Sequence, residues 1–220
     1  KFAMGTCVKG ADNQIASAVG RRQYGAGKAS GAALEVAEVR AAASIFPNDA
    51  LIGLDIRNAY GQAQWADALL AAVAKAPRLA VPMAAMWRSM SIAVYMQDED
   101  GYGWHIFLIY GSLIQGNLEG HPAFCMIIAV VLHIVVNDPR LGQWSARIRH
   151  WLYVDDWIIQ VPLDAACLLM KSVLDATQKY ALPLQLPKCA FHVPALADQT
   201  EDERSDEVRQ LAEIISYRPE

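Results

Sequence analysis

The sequence predicts an α+β fold, and three observations predict it. The 220 residues are 54% hydrophobic and only 19% charged, which supplies apolar side chains for one large core. Short β-prone runs bounded by turn residues recur at 50–54, 91–96, 104–110, 151–154 and 157–161. Helical stretches separate them, in the order strand, helix, hairpin, helix, hairpin, helix, strand.

Residues 1–20 are weakly patterned, with breaks at Gly5, Gly10 and Gly20. Arg21 to Gly31 joins glycines to the cations Arg21, Arg22 and Lys28. Small residues let backbone N–H groups approach a phosphate. The P-loop spacing is absent, however, and a solvated basic loop is the better reading. Residues 31–44 are Ala-rich and helical, and Pro47-Asn48-Asp49 ends that stretch. Ala50 to Leu54 reads as a buried strand with Asp55 at its C-terminal end. A dry, unpartnered carboxylate there is costly, so Asp55 faces a wet cleft or a ligand.

Residues 62–76 read as a helix with Trp65, Leu69 and Val73 on one face. Residues 77–89 form a Pro-bounded connector with a short helix. The runs 91–96 and 104–110 make a hairpin around Asp98-Glu99-Asp100-Gly101. A polar loop at 111–117 feeds a long apolar helix, 119–136, which Asn137-Asp138-Pro139 stops. Arg147, Arg149 and His150 lead into a second hairpin, 151–161, whose tight turn is Asp155-Asp156. Residues 163–181 are an amphipathic helix with Leu168, Leu169, Val173 and Leu174 inward. A short strand follows near 189–193, then a last helix over 202–216.

Composition excludes several function classes. The longest apolar run, Pro122 to Val136, is broken by His133 and falls short of the ~20 residues of a membrane span. Cys7, Cys125, Cys167 and Cys189 are scattered, without zinc spacing, and predict reduced thiols in an intracellular compartment, nuclear or cytoplasmic. The formal net charge is −4, against the basic surface of a general nucleic-acid binder. Six acids against one Arg in 198–207 account for the deficit. The start at Lys1, without Met or a leader pattern, predicts a piece of a longer product.

The chemistry concentrates on Asp55, Asp155 and Asp156. Strands far apart in sequence can neighbour one another in a sheet, which would bring these carboxylates together. Two facing carboxylate sites can hold two divalent ions ~4 Å apart, activate a hydroxyl and stabilise a leaving pyrophosphate. Hard oxygen ligands suit Mg²⁺.

Four blocks in order then resemble the palm of reverse transcriptases, most nearly the non-LTR (LINE-like) retrotransposon type. They are Leu54-Asp55-Ile56-Arg57-Asn58-Ala59-Tyr60-Gly61, Ile114-Gln115-Gly116-Asn117-Leu118-Glu119-Gly120-His121-Pro122-Ala123-Phe124, Tyr153-Val154-Asp155-Asp156 and Leu182-Pro183-Leu184-Gln185-Leu186-Pro187-Lys188-Cys189. Gln23-Tyr24-Gly25 resembles an element that precedes the palm in this group, so the likeness covers roughly 21–193. The resemblance implies a polymerase palm, an antiparallel sheet with helices packed on one face. It implies an RNA-directed DNA polymerase that adds dNTPs to a primer on an RNA or DNA template. Asp55, Asp155 and Asp156 would hold two Mg²⁺ ions, with Mn²⁺ as a substitute. Tyr60 would be the steric gate against a ribose 2′-hydroxyl, Gln115 and Gly116 would line the nucleotide pocket, and Lys188 would protonate pyrophosphate.

Departures accompany the match. Asn117 and Leu118 stand where the family has Asp and Pro, and His121 replaces a Pro. The fingers element with a triphosphate-binding Arg is not found in 1–20, and no thumb follows. The implied organisation is partial fingers at 1–49, palm at 50–197, and an acidic segment and helix at 198–220 leading to a thumb. The remaining fingers and thumb would belong to other parts of a polyprotein, leaving this piece weak or inactive alone. Two rival expectations are a relic palm kept as a folded or nucleic-acid-binding module, and an RNA-directed RNA polymerase-like palm.

Overall fold

The computed structural model describes residues 2–26, 30–88, 92–97, 104–109, 111–113, 117–200 and 203–218. Its strands are β1 (Asp49–Leu54), β2 (Ile92–Gln97), β3 (Trp104–Ile109), β4 (Arg149–Tyr153), β5 (Asp156–Pro162), β6 (Ala190–His192) and β7 (Ser216–Tyr217). Among the described residues, five of them form one sheet in the order β4-β5-β1-β6-β7, and β2-β3 form a separate antiparallel pair. The main sheet is antiparallel except between β6 and β7. This is the α+β architecture that the sequence predicts.

β1 lies at the centre because both of its faces are covered. Ala50, Ile52 and Leu54 alternate into the main core and are essentially inaccessible. Trp157, Ile159 and Val161 of β5 extend the same layer. Two helices dominate this side, α7 (Gly120–Val136) and α8 (Leu163–Lys179). α7 is apolar nearly all round and largely buried, with His133 exposed near its end. α8 turns Leu169, Met170, Val173 and Ala176 inward, while Leu168 and Leu174 are only partly covered.

The opposite face carries α3 (Gly31–Ile45). Successive residues of a strand face opposite ways, so Trp151 leaves the main core that Leu152 enters. Trp151 packs with Tyr24 and Ala42 in a small second cluster. Gln160 lies on this side too, and its Nε2 donates to the Ala42 carbonyl at 3.1 Å.

Several expectations are corrected. Residues 1–20 contain α1 (Phe2–Gly10), which buries Met4 despite Gly5 and Gly10, and α2 (Asp12–Val19), which buries Ile15 and Val19. The 62–76 helix is two elements, α4 (Ala59–Gln62) and α5 (Trp65–Lys75). Small residues, Ala68, Ala71 and Ala72, make the buried stripe of α5, and Val73 on its flank is exposed. The connector is largely α6 (Pro77–Trp87), begun by Pro77 and tolerating Pro82. The last helix, α9 (Asp206–Ala212), is shorter than expected. Ser205 caps it by accepting from the Val208 N–H, and the chain then returns as β7. The acidic turn at 98–101 lies outside the described residues.

His150 of β4 is neutral in the folded chain. Burial, and secondly the Arg22 charge, pushes it down to about 4. The unfolded chain takes up this proton near the ordinary value of ~6.5. This contribution to stability is therefore complete above that pH and is lost as pH falls toward 4. Between pH 7 and 4.5, His150→Phe should lose less stability than the parent chain, read as urea midpoints. Equal losses would remove His150 from the account.

Candidate active site

The site is set by strand register. Leu54 pairs with Trp157 and Tyr153 pairs with Asp156, so β5 lies between β1 and β4. Asp55 leaves the end of β1 beside the start of β5. The two turn residues of the β4-β5 hairpin are Val154 and Asp155, and Asp156 already belongs to β5. This corrects the expected Asp155-Asp156 turn by one residue. Tyr153 being paired with Asp156 leaves only two residues for the loop.

The segment 182–189 runs alongside the extension of β1. Gln185 N–H donates to the Asp55 carbonyl at 2.8 Å, and Arg57 N–H donates to the Pro183 carbonyl at 2.9 Å. Lys188 Nζ is thereby held 3.8 Å from Asp55 Oδ2. A cleft of about 500 Å³ is lined by Asp55, Tyr60, His121, Asp155, Asp156 and Lys188, with Tyr153 and Val154 on its rim. The structure thus brings together Asp55, Tyr60, Asp155, Asp156 and Lys188. Gln115 and Gly116 lie outside the described residues.

A second cleft of about 450 Å³ opens on the other side of the carboxylates. Asp55, Asp156 and Lys188 line both clefts and form the ridge between them. Glu35 of α3 also faces the second cleft. Sequence reasoning missed it. The available signal was helical spacing, since Gly31, Glu35 and Ala42 share the sheet-facing side of α3.

Negative charge is concentrated here. Burial raises the Asp156 carboxyl above its ordinary range, and the charges of Asp155 and Asp55 raise it further. Burial, then Asp156, raises Glu35 in the same direction. Asp55 Oδ2 and Glu35 Oε1 are buried without a hydrogen-bond partner among the described residues. Lys188 pairs with Asp55 across a largely solvated gap, a contact of about 0–1 kcal/mol. Among the described residues, no three His, Cys, Asp or Glu side chains are arranged to hold one metal ion. Mg²⁺ commonly takes one or two carboxylates and completes its shell with water and phosphate oxygens. Hard oxygen donors with uncompensated charge fit that requirement.

Val154 has φ 60°, a conformation unfavourable for a β-branched residue. A strap, residues 22–25, holds it there. Leu152 N–H donates to the Arg22 carbonyl at 2.9 Å, and Tyr24 N–H donates to the Leu152 carbonyl at 2.6 Å. The strap therefore adds to the edge of β4. Gln23 Oε1 then accepts from both the Val154 and the Gly25 N–H groups, each at 3.0 Å. A Cβ at Gly25 would lie 2.7 Å from the Val154 nitrogen, so only glycine fits beneath the turn. The sequence marked Gln23-Tyr24-Gly25 by resemblance but gave it no role.

Tyr60 stacks on Phe124 with centroids 5.0 Å apart. Its hydroxyl lies 3.2 Å from His121 Nδ1, and His121 Nε2 lies 2.9 Å from the Gly25 carbonyl. A carbonyl can only accept, so Nε2 carries the hydrogen and Nδ1 accepts from the tyrosine. Burial first, then Cys125 and Asp155, pushes the Tyr60 hydroxyl up to about 12, which keeps it a donor.

No protein-family model matches the sequence, and no curated protein matches it. Solved structures do match its fold. Telomerase from Candida albicans, in complex with a TWJ fragment of telomeric RNA, is similar with a TM-score of 0.60 at 10% identity. That match covers 84% of this chain and 35% of the telomerase. Apo telomerase from Candida tropicalis, truncated from its C-terminal domain, gives 0.55 at 12% identity, covering 84% and 40%. Telomerase from Candida tropicalis in complex with a TWJ fragment of telomeric RNA gives 0.50 at 14%, covering 72% and 29%. The chain thus spans well under half the length of these telomerases. At such identity the likeness is one of fold, and the fold is reverse-transcriptase-like.

Gln23→Leu keeps the bulk of the side chain and removes the acceptor of two N–H groups. It should destabilise the chain by about 1–3 kcal/mol. Amide exchange at Val154 should accelerate more than the global loss explains. Unchanged protection of Val154 would show that the strap does not hold the turn.

Proposed function

We propose that the chain is the palm, with part of the fingers, of an RNA-directed DNA polymerase of non-LTR retrotransposon type. One observation carries the reading. Asp55 at the end of the central strand shares a cleft with Asp155 and Asp156, one hundred residues later, and Tyr60 walls the same cleft. The reverse-transcriptase-like fold supports it. Asp55, Asp155 and Asp156 would hold two Mg²⁺ ions, or Mn²⁺ in their place, which would neutralise phosphate charge and make a primer 3′-hydroxyl more acidic.

The chain's own residues bind and orient. Tyr60 closes the space a ribose 2′-hydroxyl would occupy and so selects dNTPs. Lys188 Nζ, 3.8 Å from Asp55, holds a proton at the cleft and acts as general acid toward the departing pyrophosphate oxygen. The clefts on either side of the Asp55-Asp156-Lys188 ridge offer separate approaches to nucleotide and to a primer on an RNA or DNA template.

A second reading, a folded nucleic-acid-binding module without turnover, draws on the lack of a three-ligand cluster among the described residues. Salt-dependent RNA binding without nucleotide incorporation would favour it.

In the intact parent protein, Asp155→Asn should lower primer extension by about 10³-fold, since several kcal/mol of charge stabilisation are at stake. Tyr60→Ala should admit ribonucleotides. In this chain without divalent ions, Asp155→Asn removes a like charge beside Asp156 and should raise the melting temperature by about 2–4 °C. The rise that Mg²⁺ gives the parent chain should vanish in the variant. Full primer extension by Asp155→Asn would sink the reading.

A further inference from the structure

His121 stands on the first turn of α7, against the main cleft, and uses both ring nitrogens. Nε2–H donates to the Gly25 carbonyl at 2.9 Å, and Nδ1 accepts the Tyr60 hydroxyl at 3.2 Å. The Gly25 N–H donates to Gln23 Oε1, which also accepts from Val154 N–H. A continuous hydrogen-bonded path therefore runs from the Tyr60 hydroxyl to the backbone of the Val154-Asp155 turn. It joins three elements remote in sequence: α4, the 22–25 strap and the β4-β5 hairpin.

We propose that His121 is a positioning residue that locks Tyr60 and the Val154-Asp155 turn into one rigid wall, and so sets how strictly the cleft selects the sugar of an incoming nucleotide. The lock stands on the geometry alone, and the sugar selection rests on the polymerase reading above. Stacking on Phe124 fixes the plane of the Tyr60 ring but leaves its tilt and depth free. The hydroxyl tether supplies the missing constraint. Gly25 is itself tied to the turn, since its N–H shares Gln23 Oε1 with the Val154 N–H. Displacement of the ring is therefore resisted by the same strap that holds the carboxylate turn.

The two nitrogens can be separated by substitution. Asn reaches the position of Nδ1 and can still accept from Tyr60, but it falls short of Gly25. Gln reaches the position of Nε2 and can still donate to Gly25, but it does not meet Tyr60 in the same way. In this chain, His121→Ala and His121→Asn should accelerate amide exchange at Val154 and Gly25 by about tenfold beyond any global change, while His121→Gln should stay near the parent. In the intact parent protein, the ratio of kcat/KM for deoxynucleotide over ribonucleotide should fall about tenfold in His121→Ala and in Tyr60→Phe. It should fall no further in the double variant, and His121→Asn, which loses the tie to the strap, should fall with them.

Unchanged exchange at Val154 in both His121→Ala and His121→Asn would overturn the lock. Additive losses of sugar selectivity, or none, would overturn the selection. A parent protein that incorporates no nucleotide would overturn the polymerase reading and the selection with it, while amide exchange still decides the lock.

Discussion

The pairing of Leu54 with Trp157 is the constraint on which the rest of the site depends. It places the end of the central strand beside the start of β5, so Asp55 and Asp156 become neighbours without any contact of their own. The register is fixed by burial. Ile52 and Ile159 sit opposite one another, both fully inside the core. A slip of one residue would turn these side chains to the other face, where Glu35 and Gln160 lie, and would carry Asp55 away. Hydrophobic alternation in two strands thus determines where the charges meet. The carboxylates then meet at the strand ends, where water and ligand can reach them.

The register delivers Asp156 but not the backbone of Asp155, which depends on a strained neighbour. Val154 in the left-handed region costs of order 1–3 kcal/mol. Gln23 offsets it by accepting from the Val154 N–H inside the protein, where an unsatisfied donor would be costly. Gly25 removes the steric objection. A segment 130 residues upstream therefore acts as a strut for the turn. It also takes up both the N–H and the carbonyl of Leu152 on the outer edge of β4.

The parts legible in the sequence share a local signature. β1, α7 and the 151–161 hairpin are apolar runs with clear ends, and each is found where the pattern puts it. Asp55, Asp155 and Asp156 were legible because a carboxylate inside such a run needs a reason to be there. The missed parts have long-range causes. α1 forms over Gly5 and Gly10, and α2 follows it, because Met4, Ile15 and Val19 find a core to enter, which no window of twenty residues reveals. The buried stripe of α5 is alanine, too small to register as a hydrophobic face, so larger Val73 misled the reading. Gln23 and His121 are polar residues whose partners lie 131, 61 and 96 positions away. His121 appeared in the sequence only as a departure from a family pattern, and its two-sided hydrogen bonding is visible only in three dimensions.

The electrostatics of the ridge run against the stability of the fold. Asp156 holds its proton more tightly because Asp155 and Asp55 stand close and burial strips away water. Glu35 adds a fourth carboxylate from the opposite layer. Lys188 answers this with one solvated ion pair at 3.8 Å, too weak to balance the group. Elsewhere arginines answer some of the acids at closer range. Arg140 bridges Asp138 and Asp175 at 2.6 and 2.7 Å, and Arg147 reaches buried Asp49 at 2.9 Å. At the two clefts, among the described residues, four carboxylates, Asp55, Asp155, Asp156 and Glu35, thus meet beside the single exposed ammonium of Lys188.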